Sequence, residues 1–368
     1  MCKSVTDRHS IYCILPPHIL RAIAQNGSPQ QRSKALQTLA TDHTIRAIRA
    51  AQPPVPATPR GRASVLSVEG QQQRTIYDAH NTQSLPGDVV RAEGAQPTGD
   101  AAVDEAYDGL GATFDFYWDA YERSSIDDDG LPLNATVHFG TNYDNAFWNG
   151  EQMVFGDGDG QLFNRFTIAL DVIGHELTHG VTEDEARLTY FFQPGALNES
   201  ISDVFGSLVK QFKLNQTADQ ADWLIGAGLL TAGVQGVALR SMKAPGTAYD
   251  DPVLGKDPQP ADMSGFVHTF EDNGGVHINS GIPNHAFYLA ATKIGGYAWE
   301  KAGRVWYETL RDARLRPSTG FRRFARLTVL SAGRLFGDGS SEQAAVSEAW
   351  AEVGITVSAV PLAKARGK

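Results

Sequence analysis

A chain of 368 residues, 42% hydrophobic and 20% charged, is long enough for two domains with sizeable cores and has the composition of a soluble globular protein. Its formal net charge of −10 argues against a nucleic-acid role, because there is no basic excess to neutralise phosphates. No apolar run reaches the roughly eighteen residues of a membrane-spanning helix. Both cysteines, Cys2 and Cys13, lie in the first thirteen residues, so the bulk of the chain cannot depend on disulfides, and two reduced thiols are the expectation. Met1 to Ser10 is polar and has no signal-peptide apolar core. The expected location is therefore the cytoplasm, or outside the cell by an unconventional route.

Residues 1–50 read as a small helical unit. Pro16 and Pro17 open a helix with Ile19, Leu20 and Ile23 on one face, and the pattern repeats from Ser33 to Ala50. The stretch 51–64, rich in proline, is a stiff exposed linker that a protease can cut, which makes residues 1–50 a candidate pro-segment. Residues 65–170 carry strand signals at Arg74 to Asp78 and Ala135 to Phe139, interrupted by one aromatic-rich helix from Asp104 to Arg123. Asp127 to Gly130 and Gly156 to Gly160 read as turns, although their carboxylates have the chemistry of calcium ligands. Residues 171–356 are mainly helical, with a polar loop from Lys243 to Asp272, and 357–368 form a tail. The predicted fold class is α+β, a strand-rich N-terminal domain and a helical C-terminal domain behind a short helical pro-segment.

The chemistry concentrates in Asp171-Val-Ile-Gly-His175-Glu176-Leu-Thr-His179 and, twenty residues on, Asn198-Glu199-Ser-Ile-Ser-Asp203. Helical residues four apart share a face, so His175 and His179 can offer two imidazole nitrogens to one zinc ion while Glu176 points beside them. Glu199 supplies a third ligand, and Asp203, one turn further, is placed to accept a hydrogen bond from the far nitrogen of a ligating histidine. The competing reading makes Asn198 an N-cap and the acids an ordinary first turn.

Residues 142–203, together with Asp272-Asn-Gly-Gly-Val-His277-Ile-Asn-Ser-Gly281, resemble the thermolysin family of zinc metalloproteases. The N-terminal Cys13-Ile-Leu-Pro-Pro-His-Ile-Leu20 resembles the short propeptide of its protealysin branch. The resemblance implies one zinc ion on His175, His179 and Glu199, with Glu176 as catalytic base and Asp203 behind a ligand histidine. It implies that Tyr190 and His277 stabilise the oxyanion, with Asp272 orienting His277. Asn145 and Ala146 match the edge strand that pairs with an extended peptide. Arg240 matches the arginine that contacts a substrate carbonyl, and Phe163, Phe166, Val172 and Leu239 match the main specificity pocket. Cleavage before large apolar residues is implied, with Phe166 narrowing the pocket.

One departure concerns calcium. Asp171 and Asp222 match two carboxylates of the family's double calcium site, but Lys210, Leu224 and Ala227 stand where glutamates are usual, so that site is expected to be absent. Two readings stay open for Cys13: a thiolate blocking the open zinc position, or a thiol packed as a small hydrophobe. The expected function is a monomeric zinc endopeptidase that acts on peptides or proteins and is made as a self-processing precursor inhibited by its own pro-segment. The alternative is a non-catalytic zinc-binding interaction protein that uses the same cleft.

Overall fold

Proline and serine chemistry starts the chain's first helices. In the computed structural model, which describes residues 12–51 and 70–357, a two-residue strand β1 (Tyr12–Cys13) is followed by α1 (Pro17–Asn26) with proline in its first turn. Helix α2 (Pro29–Ala51) begins earlier than its apolar pattern predicts, because Ser28 and Gln31 cap it reciprocally, each backbone N–H meeting the other's side chain. Ile19, Leu20 and Ile23 of α1 are buried in the main apolar core of the molecule, so this unit is packed onto the rest rather than tethered to it. Cys2, most of the linker and nearly all of the tail lie outside the described residues.

The strand-rich region comprises β2 (Arg74–Asp78), β3 (Asp88–Ala92), α3 (Ala101–Tyr121), β4 (Leu133–Val137), β5 (Ala146–Trp148) and β6 (Met153–Phe155). Helix α3 starts three residues before its expected position, since Asp100 accepts hydrogen bonds from the N–H groups of Ala102 and Val103. It stops where Glu122 turns left-handed. The six-stranded sheet runs β1-β5-β6-β4-β2-β3, parallel for β2/β4 and β4/β6 and antiparallel elsewhere. Its outer strand at one edge is thus contributed by the pro-segment.

The helical region begins with α4 (Leu170–Glu185) and α5 (Phe192–Leu214). Gly206 on α5 makes their close approach possible: a Cβ there would stand 2.3 Å from the Asp171 carbonyl oxygen and 2.9 Å from the His175 nitrogen. The stretch 243–272, expected to be loop, also holds a small ribbon. Two such ribbons, β7 (Leu224–Ile225) with β8 (Arg240–Ser241) and β9 (Asp250–Asp251) with β10 (Gly255–Lys256), precede α6 (Asp272–Asn279). Four helices follow: α7 (Gly281–Ile294), α8 (Ala302–Leu310), α9 (Phe321–Phe336) and α10 (Ser341–Glu352). Trp306 of α8 stacks on Trp350 of α10 with ring planes 8° apart, which anchors this bundle.

The pro-segment is locked to the strand region by buried polar groups. Asp42 of α2 accepts hydrogen bonds from the Tyr143 hydroxyl and, at 3.1 Å, from the Asn145 amide. Beside them Asp144 is 2% exposed. Burial, with Asp159 adding repulsion, pushes its carboxyl from the ordinary 3.8 up to about 8, against opposing pulls from Lys34 of α2 and the Asp159 N–H. Folding therefore takes up a proton at Asp144 between those values. The burden is absent below about pH 4, grows as pH rises and is complete above about pH 8. Asp144→Asn removes it. The melting temperature of the full-length variant should exceed that of wild type by a few degrees at pH 8 and match it near pH 4; equal values at both pH values contradict this account.

Candidate active site

Two helices and one left-handed turn bring the site together. His175 and His179, one turn apart on α4, face Glu199 and Asp203, one turn apart on α5, and all four are fully buried. The two histidine Nε2 atoms lie 3.0 Å apart, with Glu199 oxygens 3.5 and 3.6 Å away. Their Nδ1 atoms point outward: His175 to Asp203 Oδ1 at 2.8 Å, and His179 to Asn198 Oδ1 at 2.7 Å and Ser202 Oγ at 3.0 Å. An Nδ1–H donated to each acceptor leaves a lone pair on each Nε2, and two lone pairs 3.0 Å apart repel unless a cation sits between them. Glu199 Oε2, buried with no hydrogen-bond partner among the described residues, turns toward the same point. These three side chains form the one cluster of potential metal ligands among the described residues. The donor set, two imidazoles and a carboxylate, fits zinc, and burial holds His179 well below its ordinary value, in the neutral form that binds metal.

Glu176 stands beside this set without joining it. One oxygen accepts the Trp148 backbone N–H at 3.0 Å, while the other, Oε1, has no partner among the described residues. Burial and the nearby Glu199 push its carboxyl well above the ordinary range, giving it the proton affinity of a base. Across the site, Asp272, Asn273, Gly274 and Gly275 all have left-handed backbone. That curl aims both Asp272 oxygens at His277, one at Nδ1 (2.6 Å) and one at its backbone N–H (2.9 Å). Burial opposes charging His277, but Asp272 and Glu199 outweigh it and raise the ring to about 9, which favours the protonated form. Tyr190 donates to Glu199, and its oxygen lies 3.3 Å from His277 Nε2.

The remaining expected residues are placed as follows. Asn145 and Ala146 lie at and beside the start of β5, and Arg240 forks onto Asp203 at 2.8 and 2.9 Å. Phe163, Phe166, Val172 and Leu239 are all buried within the main apolar core, Phe163 and Phe166 with ring centroids 6.0 Å apart. For Cys13 the zinc-blocking reading is corrected and the packed-thiol reading fits. Its side chain is buried in a separate apolar cluster with Ala79, Phe139, Tyr143, Phe147 and Val154, and the converging ligand set does not include it. Alternation along β1 explains this: the backbone faces the site while the thiol takes the far side of the strand. His277 Nε2 lies 3.1 Å from the Cys13 carbonyl oxygen.

Three groups were missed in the sequence. Asn198 is not a cap but a mid-helix residue orienting His179; its signal was its place directly before Glu199. Trp148 acts through its backbone, which no side-chain pattern reveals. Asn284 donates to Asp203 from α7 at 2.8 Å, a contact set only by tertiary packing. At the position of the family's double calcium site, the Lys210 ammonium lies 2.7 Å from Asp171, 2.9 Å from Asp222 and 2.7 Å from the Leu224 carbonyl.

Residues 59–183 match the thermolysin metallopeptidase catalytic domain, and 186–355 match the thermolysin metallopeptidase alpha-helical domain. The chain belongs to the thermolysin family of metallopeptidases. Residues 12–44 match the protealysin propeptide, which places this thermolysin-type chain with the short-propeptide precursors. It is 55% identical to an extracellular metalloprotease of Pectobacterium carotovorum subsp. carotovorum over 94% of this chain and 97% of that one. It is 52% identical to the protease PrtS of a Photorhabdus strain, over 94% of this chain and 92% of that one. The structure of the precursor of protealysin, a metalloproteinase from Serratia proteamaculans, superposes with a TM-score of 0.85 at 57% identity. That match covers 94% of this chain and 100% of the other.

Proposed function

We propose that this chain is a zinc endopeptidase, made as an inactive precursor, that hydrolyses peptide bonds before large apolar residues and removes its own pro-segment. The observation that carries the reading is Glu176: a buried carboxylate beside the zinc ligands, outside their set, with one oxygen unpartnered among the described residues. A bare binding module has no use for it. His175, His179 and Glu199 would hold zinc, which when bound would supply Lewis acidity for the scissile carbonyl and for the attacking water. Glu176 takes the proton of the attacking water and passes it to the leaving amine. The His277 imidazolium and the Tyr190 hydroxyl donate to the developing oxyanion, with Asp272 keeping the ring charged and aimed. Asn145, Ala146 and Arg240 hold the peptide extended along the edge of the sheet.

Further parts of the reading rest on separate observations. The site is complete within one chain, which supports a monomer. Among the described residues no helix is long and apolar enough to cross a membrane, and the extracellular names of relatives favour export over a cytoplasmic role. Lys210, placed between Asp171 and Asp222, neutralises the acids that calcium would otherwise bridge, which supports the absence of the double calcium site. Added calcium should leave the melting temperature unchanged, and a rise of several degrees would contradict that part.

The central assay uses an internally quenched peptide blocked at both ends with leucine after the central bond. The matured, zinc-loaded enzyme should cut that bond, and Glu176→Ala, freed of its pro-segment by an added protease, should lose about a thousandfold or more in kcat while still holding zinc. Undiminished turnover by the variant overturns the role of Glu176. If the wild type binds zinc and is inert toward every blocked peptide, the chain is a zinc-binding interaction protein instead.

A further inference from the structure

We propose that the Cys13–Ile14 peptide bond is itself a cleavage site, lying across the cleft in the register of a substrate and cut by the chain's own active site. The inference rests on the protease reading above and goes further: the pro-segment is a substrate already in place.

The register follows from hydrogen bonds to four consecutive residues. Tyr12 and Cys13 pair antiparallel with β5, opposite Trp148 and Phe147. The Ile14 N–H donates to the Ala146 carbonyl at 3.2 Å, and the Leu15 N–H to Asn145 Oδ1 at 3.0 Å. Arg240 Nη1 donates to the Ile14 carbonyl at 3.1 Å, and His277 Nε2 to the Cys13 carbonyl at 3.1 Å. Every group assigned above to holding a peptide therefore holds this one. The carbonyl facing His277 belongs to Cys13, so the amide placed for attack is the one joining Cys13 to Ile14.

Side chains agree with the backbone. Cys13 and Ile14 point to opposite faces: Cys13 enters the separate apolar cluster, while Ile14, fully buried, enters the core that also contains Phe163, Phe166, Val172 and Leu239. Isoleucine after the scissile bond is the residue that such an apolar site selects. A slip by one residue would exchange the two faces and bring the Ile14 carbonyl, now on Arg240, to His277, so the neighbouring bond does not compete.

In the reaction, the oxygen of one water molecule bonds to the Cys13 carbonyl carbon, the bond to the Ile14 nitrogen breaks, Glu176 carries one of the water's protons to that nitrogen, and the other then passes from the new carboxylic acid to the same amine. The products are a Cys13 carboxylate and an Ile14 ammonium, with water as the only co-reactant. The piece ending at Cys13 is then held by β1 pairing, whereas Ile14, Leu15, Ile19, Leu20 and Ile23 keep the following segment packed in the core. Because the bond already lies in its own cleft, the cut occurs within one molecule.

Intact-mass measurement of full-length, zinc-loaded protein tests this. A chain beginning at Ile14 and a fragment ending at Cys13 should appear with a first-order rate independent of protein concentration, and neither should form from Glu176→Ala. Ile14→Asp should slow this cut by about tenfold or more, and Ile14→Leu should preserve it. A second readout needs no turnover: in zinc-free Glu176→Ala, hydrogen exchange at the Ile14 and Leu15 amides should be strongly slowed, and free exchange there overturns the register. If the preparation cuts the blocked leucine peptide yet never yields a chain starting at Ile14, this inference fails and the protease reading stands. If it does neither, both fail.

Discussion

The buried carboxylate of Asp203 is the interaction on which the site depends. Burial alone would neutralise it, but Arg240 and His175 outweigh that and hold it well below the usual carboxylate range. It accepts from His175 Nδ1, from two nitrogens of Arg240 and from Asn284. The consequence runs in two directions. Toward the metal, the proton is kept on His175 Nδ1 and the Nε2 lone pair is aimed at the ligand cluster. Toward the cleft, Arg240 is fixed with Nη1 free to hold a backbone carbonyl, at present that of Ile14. On the proposed reading, one anion aligns catalysis with substrate holding.

The pro-segment exploits the same alignment. An open sheet edge at β5 recruits an extended strand, and β1 satisfies it by adding one. What keeps this strand there is packing behind it: α1 buries an apolar face in the main core, and Asp42 of α2 gathers Tyr143 and Asn145. Asn145 serves both surfaces at once, its amide donating to Asp42 and its carbonyl accepting the Leu15 N–H. Docking of the helices and occupation of the cleft are therefore mechanically one event. Asp144, sealed at the same junction, makes that event sensitive to pH.

Much of this was legible in the sequence because it rests on local periodicity. His175 and His179, or Glu199 and Asp203, need only helical spacing to share a face. The strand-rich and helical halves, and the apolar face of α1, followed from the same periodicities. The illegible parts are those decided by tertiary contact. Asn198 has the composition of a cap, yet the helix runs six residues before it and its side chain goes to His179. For Cys13 the sequence left a zinc-blocking thiolate and a packed thiol open, and strand alternation decided between them by turning the thiol away and presenting the carbonyl. Asn284 and the Trp148 N–H carry no spacing signal at all, because their partners lie on other elements.

The most direct test of the account is the zinc affinity of Asp203→Asn, measured by competition with a chelator on protein whose near-ultraviolet circular dichroism matches wild type. Asparagine keeps the shape but removes the charge that orients His175 and Arg240, so zinc should bind about 10- to 100-fold more weakly. An unchanged zinc affinity in a properly folded variant would contradict the claim that this one carboxylate organises the site.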